Sequence, residues 1–458
     1  MLSILLSVVI FVVTILVLVM IHELGHYSVA RYYGVKVKRV SIGFGKPIRT
    51  WHASSGTEYV LAMIPLGGYV RLLDEREEPV GVHEQEKAFN RLSRLKQAAV
   101  IFAGPLANFL FAILLYWVVL GVGITHVRPI IGYIVPGSIA EQSGLKAGSE
   151  LQTVNKQSIV SWASVGMAFI SHMGEPKPVS VRARVEKAHQ VNDYQFDLSK
   201  WKLDPLQFNF LGSLGFEPAL PSEVLKVDQV KPHRGAAWAG IKAGDTLLAV
   251  QDQPITDRMM LLRTVKPYAG QTVRLTFERE GRRLHAMVRV DQCHSWSGIF
   301  EGYLGLTLSP IQWPQTALAT EQAPVFQAAY LAIQKAWGMI IFNSTIIYKL
   351  IKGDLSLQIL SGPLGIFAGS ITAMQQGIIY YLNFLAMLSM GLGILNLFPI
   401  PGLDGSRLVA LLVERARGRP LPMAVESLIF RLGFIILVIL MIQLSIGDIL
   451  RFIQMGFC

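Results

Sequence analysis

At 458 residues the chain is long enough for several compact units, and its make-up is not that of a soluble protein: 52% of the residues are hydrophobic and only 16% are charged. Charge is missing from long stretches and crowded into others, which is a membrane pattern. The net charge of +11 invites a nucleic-acid reading that its placement excludes, and the two cysteines, Cys293 and Cys458, lie too far apart to suggest a metal knuckle or a disulfide framework.

The run from Leu2 to Ile21 is about 30 Å long as a helix, enough to cross a hydrocarbon core. No Lys or Arg precedes Arg31 and no small-residue cleavage site follows the run, so it reads as a span and not as a signal peptide. It ends in His22-Glu23-Leu24-Gly25-His26. Residues four apart share a helix face about 6 Å apart along the axis, so both imidazoles can reach one zinc ion. Glu23, beside the first, is placed to take a proton from a metal-bound water. Two histidines and a glutamate at the end of an uncharged span are costly unless they function or are paired.

Residues 27–97 form the first loop. Val40-Ser-Ile-Gly-Phe-Gly45 and Tyr59 to Leu72 read as strands punctuated by glycine. A second span covers Ala98 to Ile124, with Gly104, Pro105 and Asn108 inside it; helix packing is the role expected of that cluster, with Asn108 bonding across helices.

The segment after the second span repeats itself. Pro136, Ala140, Gly144, Lys146, Ala147, Gly148, Leu151, Val154 and Ile159 recur at one constant spacing, and each copy continues in short alternating apolar segments such as Thr272 to Phe277 and Leu284 to Val290. The pattern resembles the PDZ domain in its permuted arrangement, over 125–220 and 221–310. That resemblance makes Leu214-Gly215-Phe216 and Leu304-Gly305-Leu306 the carboxylate-binding loops, able to present backbone N–H groups to a C-terminal peptide. The alternative is that both copies act only by their bulk.

Residues 311–377 read as a linker with amphipathic helices. Pro324 to Lys335 is one; Gly338 to Ile351 is apolar but short and bracketed by Lys335 and Lys349, so it reads as a core or interfacial helix; Ser361 to Ile366 reads as a turn or re-entrant entry. A third span, with its motif, covers 378–405, a loop 406–427, a fourth span 428–447, and a tail 448–458. Arg31, Lys36, Lys38 and Arg39 follow the first span, Lys87 to Lys96 carries four basic residues before the second, and Arg407, Arg415, Arg417 and Arg419 lie between the third and fourth. The positive-inside rule therefore places 27–97 and 401–427 in the cytoplasm and the N-terminus and repeats outside. The positive charge is a topology signal.

Two histidines leave zinc short of a third protein ligand. No His or Glu follows the first motif at the spacing of soluble metalloproteases. His52 and Glu58, on a basic strand-like stretch, are candidates; so is Asp404, in Asn396-Leu-Phe-Pro-Ile-Pro-Gly-Leu-Asp404-Gly405, where Pro399 and Pro401 break the third span and free backbone groups that only protein or a wet cavity can satisfy.

H-E-x-x-H on one span with N-x-x-P-x-x-x-L-D-G on a later one resembles the site-2 protease family of zinc intramembrane proteases, and both patterns are matched without departure. The resemblance implies a polytopic α-helical membrane protein with four spans, two tandem PDZ-like α+β domains and a membrane-associated β-hairpin. It implies one Zn2+ per chain on His22, His26 and Asp404, with Glu23 as catalytic base. It places Asn396 and Pro399 in a substrate-facing wall, and it makes the hairpin around Gly43, Phe44 and Gly45 a strand that an unwound substrate pairs with. The implied setting is a bacterial inner membrane, with the active site near the cytoplasmic side. The implied partners are single-span membrane proteins, an anti-sigma factor first and leftover signal peptides second, along with the lipid bilayer and a peptide C-terminus at the PDZ loops. No nucleic-acid partner is implied. The rival reading is a membrane-anchored PDZ scaffold without proteolytic activity.

Overall fold

The computed structural model describes residues 2–457 except 186–189, 204–209, 222–223 and 295–299; Cys458 lies outside the described residues. The chain forms a helical unit and a β-rich unit, the second being mainly the segment Thr125–Thr320.

In the helical unit, α1 (Leu2–Tyr32) is followed by two long strands, β1 (Val37–His52) and β2 (Glu58–Leu72). Then come α2 (Arg94–Val122), α3 (Val325–Lys352), α4 (Pro363–Gln376), α5 (Ile378–Leu397), α6 (Asp404–Arg417) and α7 (Met423–Phe457). Among the described residues six helical segments are long and apolar enough to cross a membrane: α1, α2, α3, Leu357–Gln376, α5 and α7.

Three boundaries differ from those read in the sequence. Pro324 to Lys335 and Gly338 to Ile351, read as separate pieces, fall in one continuous helix, because Lys335 is shielded inside the unit: its ammonium sits 5.2 Å from the centre of the Tyr116 ring and 3.8 Å from Glu321. The third span's helix stops at Leu397, where the proline-rich turn begins, and a new helix starts at Asp404. The segment 448–458, read as a tail, is helical as far as Phe457.

α1, α2 and α5 make the centre of this unit through small residues and polar pairs. Gly25 of α1 lies so close to α2 that a Cβ there would stand 2.2 Å from the Ala103 carbonyl oxygen. Thr14 and Tyr381 share a buried hydrogen bond of 2.8 Å between α1 and α5. Ser389 of α5 donates to the Asn108 carbonyl of α2 at 2.9 Å.

β1 and β2 are each bent, so two strands make four segments: 68–72 pairs antiparallel with 37–42, 37–42 runs alongside 58–62 in the same direction, and 58–62 pairs antiparallel with 47–52. The segment 68–72 is therefore an edge, with no strand on its other side among the described residues.

The β-rich unit holds the two sequence repeats. In the first, strand Ile131–Ile134 pairs with Phe216–Pro218, and Gln157–Ser158, Ser149–Val154, Val179–Val185 and Gln190–Phe196 form a sheet in that order, with helix Trp162–Ser171 alongside. In the second, Leu225–Val230 pairs with both Thr246–Val250 and the returning strand Leu306–Leu308, while Thr272–Arg279 and Arg282–Arg289 extend the sheet. Alternating residues fill an aliphatic core built around Val227, Leu247, Val273, Leu275 and Val288.

Candidate metal centre

The last turns of α1 present His22 and His26 on one face, ring centres 4.8 Å apart. Their neighbours on α2, Val100, Gly104 and Asn108, follow one another at one-turn intervals along the face that meets them. The Val100 carbonyl accepts a hydrogen bond from His26 Nδ1 at 2.8 Å. A carbonyl oxygen can only accept, so the proton sits on Nδ1 and the His26 Nε2 lone pair is free. Gly104 supplies room: a Cβ there would lie 2.3 Å from His26 Nε2 and 2.8 Å from His22 Cε1. Asn108, fully buried, places its amide nitrogen 3.2 Å from His22 Nδ1.

The third group arrives from the break after α5. Pro399 and Pro401 stop the helix, and Gly405 permits the tight return, since a Cβ on it would collide with the Phe398 carbonyl oxygen at 2.2 Å. Asp404, the first residue of α6, then points back at α1. Its Oδ2 lies 3.2 Å from His22 Nε2 and 3.3 Å from His26 Nε2, and the two Nε2 atoms are 3.2 Å apart. An ion pair of 2.6 Å between Arg94 of α2 and the buried Glu414 secures the far end of α6.

This triangle fits zinc. Ligand atoms at tetrahedral angles and bond lengths of about 2.0–2.1 Å stand roughly 3.3 Å from one another. The Asp404 oxygen is buried and makes no hydrogen bond of good geometry, so a carboxylate oxygen and two imidazole nitrogens converge on one point, an arrangement that a cation resolves. His22, His26 and Asp404 form the group of His, Cys and acidic side chains close enough to share an ion among the described residues.

The triangle opens into a cavity of about 990 Å³ within the helical unit, whose lining also includes Glu23, Asn396 and Pro399. Val70, on the edge segment of β2, lines the cavity together with Glu23, and Gly68 passes beside Glu23, where a Cβ would stand 3.8 Å from Glu23 Cγ. The strand lining the cavity is thus β2 over 69–72.

Other candidates fall elsewhere. Gly43, Phe44 and Gly45 belong to β1 and do not line the cavity; Phe44 stacks on Tyr69 with ring centres 6.3 Å apart and packs over Gly67. His52 and Glu58 face each other in register on the far side of the sheet, where Glu58 binds Arg39 at 2.5 Å, so neither reaches the metal triangle. Asn108 was expected to support helix packing and to bond across helices, and it does meet α1; the sequence did not show that its partner is His22.

The predicted carboxylate loops take similar backbone forms, with Gly215 at φ +88° and Gly305 at φ +80°, a region that favours glycine. They differ in availability. The Gly215 N–H is already shared between the Leu211 and Gly212 carbonyls, at 3.0 and 3.1 Å.

The chain matches known proteins over nearly its whole length. The model of peptidase family M50 matches residues 10–440. "Regulator of sigma-E protease RseP" of Salmonella typhimurium (strain 14028s / SGSC 2262) is 39% identical over 441 residues, covering 96% of this chain and 98% of that protein. The protein of the same name from Escherichia coli (strain K12) is 37% identical over 431 residues, 94% of this chain and 95% of its own length. A "Putative zinc metalloprotease" of Vibrio cholerae serotype O1 is 35% identical over 441 residues, with coverages of 96% and 98%. Among solved structures, the PDZ domain of an SdrC-like protein from Listeria monocytogenes aligns at 19% identity with a TM-score of 0.17, over 19% of this chain and 86% of its own.

Fold and site thus define a multi-pass membrane zinc metalloprotease of the site-2 type. The chain belongs to peptidase family M50.

Proposed function

We propose that the chain cuts a peptide bond in the transmembrane segment of a single-span membrane protein, near the cytoplasmic end of that segment. The observation that carries this reading is one cavity holding the His22–His26–Asp404 triangle, the Glu23 carboxylate and an unpaired strand edge. A zinc ion held by the triangle, one per chain, supplies an acidified water and a polarised carbonyl.

The chain's own groups do the rest. A transmembrane helix hides its carbonyls in its own hydrogen bonds and has to unwind before cleavage. The edge over 69–72 offers those bonds a new partner, so the unwound substrate lies as an added strand with its scissile carbonyl turned toward the triangle. Asn396 and Pro399 wall the opposite side. Glu23 takes a proton from the attacking water and delivers it to the departing amide nitrogen, so that the C–N bond breaks with neutral products.

Four spans, α1, α2, α5 and α7, serve this reading. Within the 20-residue segment Leu357–Gln376, only α4 is continuous α-helix, 14 residues or about 21 Å, short of the roughly 30 Å of a hydrocarbon core. If α4 does not cross, α3 cannot cross alone, because α1 and α5 both carry the site at their C-terminal ends and must run in the same direction. The positive-inside rule then sets the N-terminus and the repeats in the periplasm of a bacterial inner membrane, with the site near the cytoplasm. We assign the repeats as tandem PDZ-like domains that exclude substrates with bulky outer domains; the engaged Gly215 N–H favours exclusion over peptide capture in the first copy. The relatives' names, which speak of regulating sigma-E, make an anti-sigma factor the leading substrate, ahead of remnant signal peptides.

Reconstitution in liposomes with tagged single-span substrates, with and without a zinc chelator, tests this, with the cut read by mass spectrometry. The expected product ends inside the substrate's apolar segment and is lost with chelator or with Glu23→Gln. Cleavage only in soluble, unfolded chains, or undiminished cleavage by Glu23→Gln, would overturn it.

A further inference from the structure

The two imidazoles are held by unlike acceptors. His26 Nδ1 meets a main-chain carbonyl of α2, which cannot turn. His22 Nδ1 meets a side chain, the amide of Asn108, and does so with the amide nitrogen facing it at 3.2 Å. An imidazole that gives its Nε2 lone pair to a metal carries its proton on Nδ1 and needs an acceptor there. A half-turn of the amide about Cβ–Cγ brings the Asn108 oxygen to the position of its nitrogen and supplies that acceptor.

Asn108 is well placed to do this. It is completely buried, one helical turn beyond the Gly104 that seats the imidazoles, and its backbone carbonyl is pinned to α5 by Ser389 at 2.9 Å. A carboxamide in this position is a poor choice for packing alone: an aliphatic side chain of equal volume would fill the space without a polar group to satisfy.

We propose that Asn108 is a positioning residue of the metal centre, whose amide oxygen accepts the His22 Nδ1–H and fixes that ring with Nε2 toward His26 and Asp404. This rests on the reading of His22, His26 and Asp404 as zinc ligands.

The test is zinc affinity of the detergent-purified full chain, measured by competition with a chromophoric chelator, together with the visible spectrum of the cobalt-substituted protein. Loss of such an outer partner typically weakens metal binding about 10- to 100-fold, and that is the drop expected for Asn108→Leu, with an altered cobalt spectrum. Asn108→Asp, which keeps an acceptor and cannot donate, should hold zinc within about threefold of the unsubstituted chain, well inside the range that marks loss of the partner. Ser389→Ala removes the helix-pinning bond without touching the imidazole and should leave the cobalt spectrum unchanged. Unaltered zinc binding in Asn108→Leu overturns the proposal, as does equal weakening in Leu and Asp. Should the Leu variant not fold, zinc loss from Asn108→Asp alone overturns it. An unsubstituted chain that holds no zinc refutes the ligand reading itself, a different failure from that of Asn108.

Discussion

The helical unit and the β-rich unit use polar side chains in opposite ways. In the repeats, cores are apolar and buried charges are matched in pairs. Asp245 is buried and gripped by Arg279 through two bonds of 2.7 Å and by the Lys242 N–H at 2.8 Å. In the first repeat, Glu150 is held by Arg128 at 2.8 Å and Arg184 at 2.6 Å. These groups are satisfied within the fold. Around the metal centre the helices bring together atoms that do not satisfy one another: two Nε2 lone pairs and a carboxylate oxygen. Glycines at 25, 104 and 405 are what allow the backbones and rings to come so close. Satisfied polar groups stabilise a fold, whereas polar groups gathered without mutual satisfaction indicate a ligand.

That contrast breaks down if substitutions in the helical unit cost only stability, or if substitutions in the repeats disturb the metal. The largest effect is expected from Glu23→Gln. Loss of a general base typically slows a reaction about 10²- to 10⁴-fold, so cleavage of a reconstituted substrate should fall by that much while zinc content stays at the unsubstituted level. Next is Asp404→Asn, which removes a charged ligand. Zinc measured by mass spectrometry should drop to a minor fraction of the chain while the far-UV circular dichroism is retained.

Gly104→Ala follows, because its Cβ would force both imidazoles to shift. A loss of about tenfold or more in zinc affinity is expected, comparable to losing an outer-sphere partner. Unchanged affinity would mean that α2 moves aside and does not seat the rings.

The smallest effect should come from Asp245→Asn. It should destabilise the second repeat by about 1–3 kcal/mol, read as faster amide exchange in 272–279, with zinc binding untouched. Burial raises the Asp245 carboxyl, but the Arg279 guanidinium and the Lys242 N–H together outweigh it and hold the group below its ordinary value. A depressed folded-state value means that this stabilisation is present in full above the unfolded-state value, near pH 4, and is lost as pH falls through the lower folded one. Exchange in 272–279 should therefore speed up at acid pH in the unsubstituted chain and respond less in Asp245→Asn.

The sequence made legible what rests on local spacing. His22 and His26 share a face because they are four apart, and the prolines before Asp404 announce a broken span. The contact of Asp404 with both histidines joins residues some 380 apart, and only the family pattern pointed to it. The glycine-rich stretch at 43–45 was correctly read as strand, but no local signal shows that β1 and β2 each fold back, which puts 37–42 inside the sheet and leaves 68–72 and 47–52 at its edges. α3 was misread for a similar reason: Lys335 looks like a boundary in one dimension, while in three it lies over Tyr116. Asn108 was read as bonding across helices, and it meets α1, but nothing local names His22 as its partner.

An anomalous difference map at the zinc absorption edge, from crystals of the full chain in lipid, is the most direct check. A single strong peak is predicted about 2 Å from His22 Nε2, His26 Nε2 and an Asp404 carboxylate oxygen together. A peak coordinated by the two histidines with Asp404 turned away, or one centred on other residues, would contradict the shared-ion account of α1 and α6.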